Sequence, residues 1–314
     1  MGVAMANSLL PVRGVWCAAL TPFDAGGVPD FARLAKHVRR IFAAGVDGIA
    51  LFGTTGEGQS LSVSERRAGL DALLSAGISP ARILAATGCA SLPETIELTR
   101  HAVQSNCAGT LVLPPFFFKN VDDEGVFASY SRIADTVGDS RLRLYLYHIP
   151  QVSGVAISPD VIGRLTVAYP QIVVGVKDSE CNLDHTRMLL SRFPELAILV
   201  GFELHLPAAL AAGGAGTICG IANLFPRLMR RLHDNAISAN CREDFAQLSR
   251  FTSALERFSL FPAFKALQAE LTGDEAWAEL RPPLVALNSA TRRAWLADVA
   301  GSGIASERNT AGPF

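Results

Sequence analysis

The sequence predicts an α/β protein built as a (β/α)8 TIM barrel with a C-terminal helical extension. Short, β-rich apolar runs alternate with longer stretches of helical periodicity almost from the first residue, which is typical of parallel sheets. We count eight such units, the number that closes a barrel. After about Pro226 the strand signals stop, and only helical patterns continue towards Leu296.

The predicted strands are short apolar runs, and each is followed by a stretch long enough for one helix. They are Gly14–Leu20, Gly48–Phe52, Ile83–Thr87, Gly109–Leu113, Arg143–Tyr147, Ile172–Val176, Ala197–Val200 and Gly216–Cys219.

The predicted helix starts carry side chains that cap free backbone N–H groups. Ser62-x-x-Glu65 and Ser91-x-x-Glu94 are capping-box patterns. Pro159 stands directly after Ser158 and suits the first position of a helix. The local signals therefore agree with the alternating pattern.

A doubly wound open sheet would use the same units, but it needs a glycine-rich phosphate turn after its first strand. The first strand here ends in Leu20-Thr-Pro-Phe23 without such a turn, which favours the closed barrel. We place the catalytic barrel in residues 1–235 and a helical region in residues 236–314, with a frayed tail from Gly301.

Composition points to a small-molecule partner. The 314 residues carry a formal net charge of −1, so the chain has no excess of positive charge that would predict binding to nucleic acid or to an anionic membrane. No apolar run is long enough to span a bilayer, and the first residues lack a secretory pattern, so we expect a cytoplasmic protein. Six scattered cysteines without C-x-x-C pairs predict neither a zinc site nor disulfides.

The C-terminal ends of barrel strands are where reactive groups of such enzymes gather. The chain has four lysines, and only Lys177 lies at a predicted strand end, after the apolar run Ile172–Val176. Burial favours the neutral amine, which is a nucleophile towards carbonyl groups. A lysine that merely snorkels or pairs with Asp178 is the competing interpretation.

Two further strand ends add suitable chemistry. Tyr147 ends the neighbouring strand, where a phenol can carry protons to and from the amine, although a lone tyrosine is most often core. The loop Gly53-Thr-Thr-Gly-Glu57 offers backbone N–H groups and two hydroxyls to a carboxylate, although tight turns use the same residues for geometry alone. All three signals fall on one rim.

The remaining polar and aromatic patterns are weaker. Cys181 and His185 are four residues apart, but two ligands without others nearby predict a surface helix rather than a metal site. The aromatic stretch Phe116–Phe118 is typical of a core or an interface, and its position at a strand end also allows it to line the pocket.

Six motifs in this order resemble the dihydrodipicolinate synthase and N-acetylneuraminate lyase superfamily of class I pyruvate lyases. They are Ala19-Leu-Thr-Pro-Phe23, Gly53-Thr-Thr-Gly-Glu57, Tyr147-His-Ile-Pro150, Gly175-Val-Lys-Asp-Ser179, Gly216-Thr-Ile-Cys219 with Asn223, and Phe261-Pro-Ala-Phe-Lys265.

The resemblance implies a role for each motif and a homotetramer. Lys177 matches the Schiff-base lysine and Tyr147 the proton-relaying tyrosine. Thr54 and Thr55 match the carboxylate-binding loop. Thr55 also matches the hydroxyl that joins the tyrosine relay, and Ile218 the residue whose carbonyl faces bound pyruvate. No metal or organic cofactor is expected, because the lysine imine itself accepts the electrons.

Three departures bear on the substrate. Val152 stands where the true synthases carry an arginine for the carboxylate of aspartate semialdehyde. The stretch Pro115–Phe118 offers no hydroxyl in place of their second relay tyrosine. His148 replaces an asparagine and is either a pocket acid/base or a packed imidazole. The phenylalanine loop, the Tyr147-x-x-Pro150 motif without its arginine, and Val176-Lys-Asp-Ser179 resemble the 2-oxo-3-deoxy sugar-acid aldolases more than the lysine-pathway enzyme.

The leading functional hypothesis is therefore reversible aldol cleavage of a 4-hydroxy-2-oxo acid through an imine on Lys177. A dehydratase or hydratase on the same scaffold, and 4-hydroxy-tetrahydrodipicolinate (dihydrodipicolinate) synthase, are alternative enzymes. A non-enzymatic oxo-acid sensor is the alternative from another class. A phosphate-binding isomerase is disfavoured, because Gly213-Gly214 precedes strand eight instead of following it.

Overall fold

The computed structural model describes residues 10–236, 238 and 241–304. Eight parallel strands follow one another in chain order and close into a barrel, with the last strand pairing to the first. They are β1 (Gly14–Ala18), β2 (Gly48–Leu51), β3 (Ile83–Ala86), β4 (Gly109–Val112), β5 (Leu144–His148), β6 (Val173–Asp178), β7 (Ala197–Val200) and β8 (Gly216–Cys219). The predicted TIM barrel is confirmed, and the predicted strands differ from these only at their ends.

Helices connect the strands and continue beyond the barrel. They are α1 (Phe31–Ala43), α2 (Val63–Ser75), α3 (Leu92–Gln104), α4 (Asp123–Val137), α5 (Pro150–Ser153), α6 (Pro159–Ala168), α7 (Leu183–Arg192), α8 (Leu206–Ala211), α9 (Pro226–Asp234), α10 (Cys241–Leu255), α11 (Leu260–Thr272) and α12 (Ser289–Gly301).

One of the two predicted capping boxes forms. At the start of α2 the Ser62 side chain accepts from the Glu65 N–H, and the Glu65 carboxylate accepts from the Ser62 N–H. The box at Ser91 was a wrong prediction, since the Ser91 side chain makes no capping bond. Pro93 removes one donor that a cap binds, and the Thr95 hydroxyl instead contacts the Ser91 carbonyl at 3.1 Å.

Alternation along each strand separates the barrel interior from the layer beneath the helices. On β5, Tyr145 and Tyr147 belong to the interior cluster, whereas Leu144 and Leu146 pack outside it, against the helices. Polar side chains at the C-terminal ends of the strands are therefore divided between the barrel mouth and its outer wall.

The C-terminal helices share a core with the barrel. Phe251 of α10 and Trp295 of α12 are completely buried in the same cluster as residues of β1 and β2. The predicted division of the chain into residues 1–235 and 236–314 stays a prediction. Gly301 ends α12, and the rest of the tail beyond residue 304 lies outside the described residues. Within the described ranges, no helix is both long and apolar enough to cross a bilayer.

A buried histidine ties α1 to the loop after β8. His37 Nε2 lies 2.9 Å from Asn223 Oδ1, which also accepts from the Leu20 N–H, and burial lowers the pKa of His37 to about 3. In the unfolded chain His37 binds a proton below about pH 6.5. In the folded protein it stays neutral until about pH 3.

This histidine should make the protein less stable in mild acid. The free energy of unfolding should fall by roughly 1.4 kcal/mol for each pH unit below about 6, through His37 alone. Urea denaturation of the wild type and of His37→Gln at pH 7.5 and pH 5 measures the difference. Equal pH dependence in the two proteins would show that His37 does not cause the loss.

Candidate active site

Lys177 and Tyr147 meet at the C-terminal end of the barrel. They are direct partners in the parallel pairing of β5 with β6, and both side chains are buried. The Nζ atom of Lys177 lies 4.2 Å from the centre of the Tyr147 ring. An amine and a phenol that two adjacent strands fix side by side can exchange protons with one bound carbonyl compound.

The loop between β2 and α2 supplies the next hydroxyl. Thr54 Oγ1 lies 3.2 Å from the Tyr147 hydroxyl oxygen. The Thr21 hydroxyl donates to the Gly56 carbonyl at 2.6 Å, and a Cβ on Gly56 would lie only 2.5 Å from the Ala19 carbonyl oxygen. Glycine is therefore required at position 56 for the loop to approach β1 so closely.

The structure places the hydroxyl of Thr54 beside Tyr147, whereas the sequence comparison had matched Thr55 to the relay hydroxyl. Thr54, not Thr55, contacts the hydroxyl of Tyr147. Thr55 turns towards the loop after β8, where a Cβ on Gly220 would lie 3.4 Å from the Thr55 hydroxyl. The two neighbouring threonines thus face different partners, which their sequence positions did not distinguish.

The other predicted pocket residues divide into two groups. Open space lies where a Cβ of Gly53 would stand, which leaves room for a ligand, and Ile218 is completely buried in the interior cluster. Val152, by contrast, lies on α5 with 59% of its surface exposed. Ile218 therefore packs in the barrel interior, as predicted for a pocket residue, whereas Val152 does not.

His148 does not face the pocket, and its prediction as a substrate-binding residue needs correction. Its side chain leaves β5 on the face opposite Tyr147, because successive side chains alternate. Nδ1 accepts from the Ile157 N–H at 3.2 Å, and Nε2 lies 3.3 Å from Glu180 Oε2. Burial lowers the pKa of His148. Of the two alternatives, the packed imidazole describes this histidine.

Comparison with known proteins agrees with this geometry. The sequence model of the dihydrodipicolinate synthetase family matches residues 11–300. The chain belongs to this family. The resemblance that the motifs indicated is thereby confirmed, and relatives of this chain are named as a DapA-like lyase and as 4-hydroxy-tetrahydrodipicolinate synthases.

Several members of the family are similar over most of the chain. An uncharacterized DapA-like lyase of Chloroflexus aurantiacus is 35% identical over 280 residues, covering 88% of this chain and 92% of the relative. The 4-hydroxy-tetrahydrodipicolinate synthase of Thermus thermophilus is 31% identical over 221 residues, covering 70% of this chain and 72% of that enzyme.

Solved structures share the fold of this chain. Dihydrodipicolinate synthase from Agrobacterium tumefaciens matches with a TM-score of 0.87 and 35% identity, covering 92% of this chain and 99% of that one. A variant of the Sulfolobus solfataricus 2-keto-3-deoxygluconate aldolase matches with a TM-score of 0.83, covering 92% of this chain and 96% of that one. At 20% identity the second match bears on the fold alone.

The loop after β4 is exposed in the structure. Phe117 and Phe118 are exposed at 69% and 70% and meet edge to face, with ring centres 5.3 Å apart. Lys119 donates to the Phe116 carbonyl and to the Ser153 carbonyl, so the loop is attached to α5. The loop thus presents two aromatic rings to solvent.

Sequence reasoning missed a buried carboxyl group near the lysine. Glu203, just after β7, accepts from the Ile221 N–H at 3.2 Å. Burial raises the pKa of Glu203, whereas the charge of Lys177 acts in the opposite direction. Its position three residues after β7 was the available signal, because that edge of the barrel carries the site.

A buried ion pair beside the loop was also missed. Lys265 Nζ of α11 lies 2.5 Å from Glu57 Oε1, donates to the Glu279 carbonyl at 2.7 Å and stands 4.3 Å from the Phe23 ring centre. Burial raises the pKa of Glu57 and lowers that of Lys265, and the pairing opposes both effects. The helical extension therefore contacts the residue that ends the loop.

The contact between Thr54 and Tyr147 can be tested by removing one hydroxyl. On the expectation from the motifs that Lys177 forms an imine with pyruvate, Thr54→Val should lower the rate of this step about two- to tenfold, because a neutral hydrogen bond contributes about 0.5–1.5 kcal/mol. Thr54→Ser keeps the hydroxyl and serves as the control. Stopped-flow kinetics of imine formation measure both variants, and an unchanged rate in Thr54→Val would exclude Thr54 from the relay.

Proposed function

We propose that the protein is a pyruvate-dependent lyase or aldolase that forms a Schiff base on Lys177 and reversibly cleaves a 4-hydroxy-2-oxo acid. The observation that carries the proposal is the buried Lys177 amine, 4.2 Å from the ring centre of Tyr147, whose hydroxyl contacts Thr54. The family assignment supports the same chemistry.

The reaction begins when the neutral Lys177 amine attacks the C2 ketone of the substrate. Tyr147 protonates the resulting hydroxyl, water leaves, and the C=N bond forms. Tyr147 then takes the proton of the C4 hydroxyl, and the C3–C4 electron pair moves into the iminium. The products of this step are an aldehyde and an enamine.

Protonation of the enamine at C3 and hydrolysis of the imine release pyruvate and restore the lysine. The loop of Gly53, Thr54 and Thr55 can hold the substrate carboxylate through backbone N–H groups and hydroxyls, since Gly53 leaves open space for its approach. The imine itself accepts the electrons of the broken bond, so the proposed steps need no further electron acceptor.

The candidate reactions differ in the aldehyde that pairs with pyruvate. Val152 carries no charge for a carboxylate such as that of aspartate semialdehyde, which favours a 2-oxo-3-deoxy sugar acid. The second candidate, 4-hydroxy-tetrahydrodipicolinate synthase, is supported by the Thermus thermophilus relative of that name and by the Agrobacterium tumefaciens structure. A dehydratase on the same imine differs only in losing water instead of an aldehyde.

Borohydride reduction in the presence of pyruvate tests the imine. We expect mass spectrometry to find the reduced adduct on the peptide that contains Lys177 and on no other lysine peptide. An unlabelled Lys177, under conditions that label a control aldolase, would overturn the proposed chemistry.

A substrate comparison then distinguishes the enzymes. Pyruvate release from a 2-oxo-3-deoxy sugar acid, followed with lactate dehydrogenase, supports the aldolase. Product formation from pyruvate and aspartate semialdehyde supports the synthase. Pyruvate binding without an imine or turnover with either substrate would favour an oxo-acid sensor.

A further inference from the structure

Four ionisable side chains gather on the outer wall of the barrel, behind the proposed reaction centre. His148 ends β5, Asp178 ends β6, Glu180 lies in the turn that follows, and His185 lies in the first turns of α7. One donor atom from each side chain lies within 4.8 Å of all the others. We call these four residues the outer cluster.

Three of these donors lie close together. His185 Nδ1 lies 3.2 Å from Asp178 Oδ2 and 3.2 Å from Glu180 Oε2. Ligand atoms bound to a tetrahedral ion at about 2.0–2.2 Å are separated by about 3.3–3.6 Å, close to these distances. The Nδ1 atom of His185 is buried and has no hydrogen bond of good geometry, although both carboxylate oxygens lie within 3.2 Å of it.

His148 has a different place in the cluster. Because Nδ1 accepts from the Ile157 N–H, its lone pair is already used, and the ring proton of the neutral imidazole is on Nε2. That N–H points to Glu180 Oε2 at 3.3 Å. His148 is therefore a hydrogen-bond donor to a ligating carboxylate rather than a ligand itself. Outer donors of this kind are usual around metal sites.

The site is also oriented and accessible. The Thr186 hydroxyl donates to Asp178 Oδ2 at 2.6 Å, which fixes the carboxylate. The Glu180 side chain is 34% exposed, so an ion can enter from solvent and water can complete its coordination. Two carboxylates balance the charge of a divalent cation, and a mixture of imidazole and carboxylate ligands suits zinc or manganese better than calcium or magnesium.

We propose that Asp178, Glu180 and His185 form a binding site for one divalent transition-metal ion, with His148 as the outer hydrogen-bond donor. The site lies outside the pocket and goes beyond the proposed function. Since Asp178 follows Lys177 and His148 follows Tyr147 on paired strands, a bound ion would fix the positions of both strand ends.

Calorimetric titration of the metal-stripped, untagged full chain with ZnCl2 or MnCl2 tests the proposal directly. We expect one ion per chain. His185→Ala and Glu180→Gln should each weaken binding by about tenfold or more, and His148→Gln by about 10- to 100-fold. Asp184→Asn is the matched control, because that side chain lies on the same helix and is 88% exposed.

Circular dichroism of each variant checks that the fold is kept, and Glu180→Gln is the variant best tolerated, since its side chain is partly exposed. No binding by the wild type would overturn the proposal. Binding that is equally strong in His185→Ala and Glu180→Gln would also overturn it, since the ion would then be held elsewhere.

Discussion

Lys177→Met should lower kcat/KM for cleavage by more than about a thousandfold, as the loss of a covalent nucleophile does. Methionine fills a similar volume in the buried position but has no amine to attack the ketone. Borohydride with pyruvate should then label no lysine. Coupled pyruvate release and mass spectrometry of the reduced protein give the two measurements.

Two variants control for charge and for non-specific labelling. Lys177→Arg keeps a cation in the site but cannot form the imine, so it should be as inactive as Lys177→Met. Lys36→Met removes an exposed lysine of α1 and should behave as the wild type. Substantial turnover in Lys177→Met would mean that the reaction does not pass through this amine.

The barrel could be predicted because its information is local and repeated. Each unit carries one apolar run and one helical period, and eight repeats leave few other ways to bury the strands. The proximity of Lys177 and Tyr147 could also be predicted, because both residues end strands and parallel strands end at one rim of the barrel. The pairing of β5 with β6 makes the two residues direct partners.

Details within one turn or one strand were harder to predict. Side chains alternate along a strand, so the sequence already placed His148 on the face opposite Tyr147, outside the barrel interior. Because His148 belongs to the same motif as Tyr147, we nevertheless predicted that it binds the substrate. The choice between Thr54 and Thr55 depends on loop dihedrals, with Phe52 and Glu57 both at positive φ. No periodic pattern encodes such angles.

Contacts between distant segments leave no pattern in one sequence. Glu57 ends a loop in the first quarter of the chain, and Lys265 lies in the C-terminal helices, so their pairing appears only in the fold. The outer cluster likewise combines two strand ends, a turn and a helix. The spacing of Cys181 and His185 predicted only a surface helix, because the two carboxylates that lie beside His185 in the fold cannot be recognised from that spacing.

The buried pair of Glu57 and Lys265 leads to the second large effect. Lys265→Met should lower the free energy of unfolding by about 3–5 kcal/mol, because it leaves the Glu57 carboxylate buried without its partner. Urea denaturation measures the loss. The exposed pair of Arg67 and Glu97 provides the matched control, and Arg67→Met should cost no more than about 1 kcal/mol.

The double variant Glu57→Gln/Lys265→Met separates the pair from its surroundings. Without either charge, the unpaired carboxylate is gone, so part of the stability should return relative to Lys265→Met alone. Additive losses would mean that the two side chains act independently, which would contradict their contact.

The same double variant tests whether the pair positions the loop. Glu57 directly follows Gly53–Gly56, so its release should let the loop move while leaving Lys177 and Tyr147 in place on their strands. We therefore expect a higher KM for pyruvate with a smaller change in kcat, measured at a temperature where the variant is fully folded. A proportional loss of active protein, with KM unchanged, would assign the pair to stability alone.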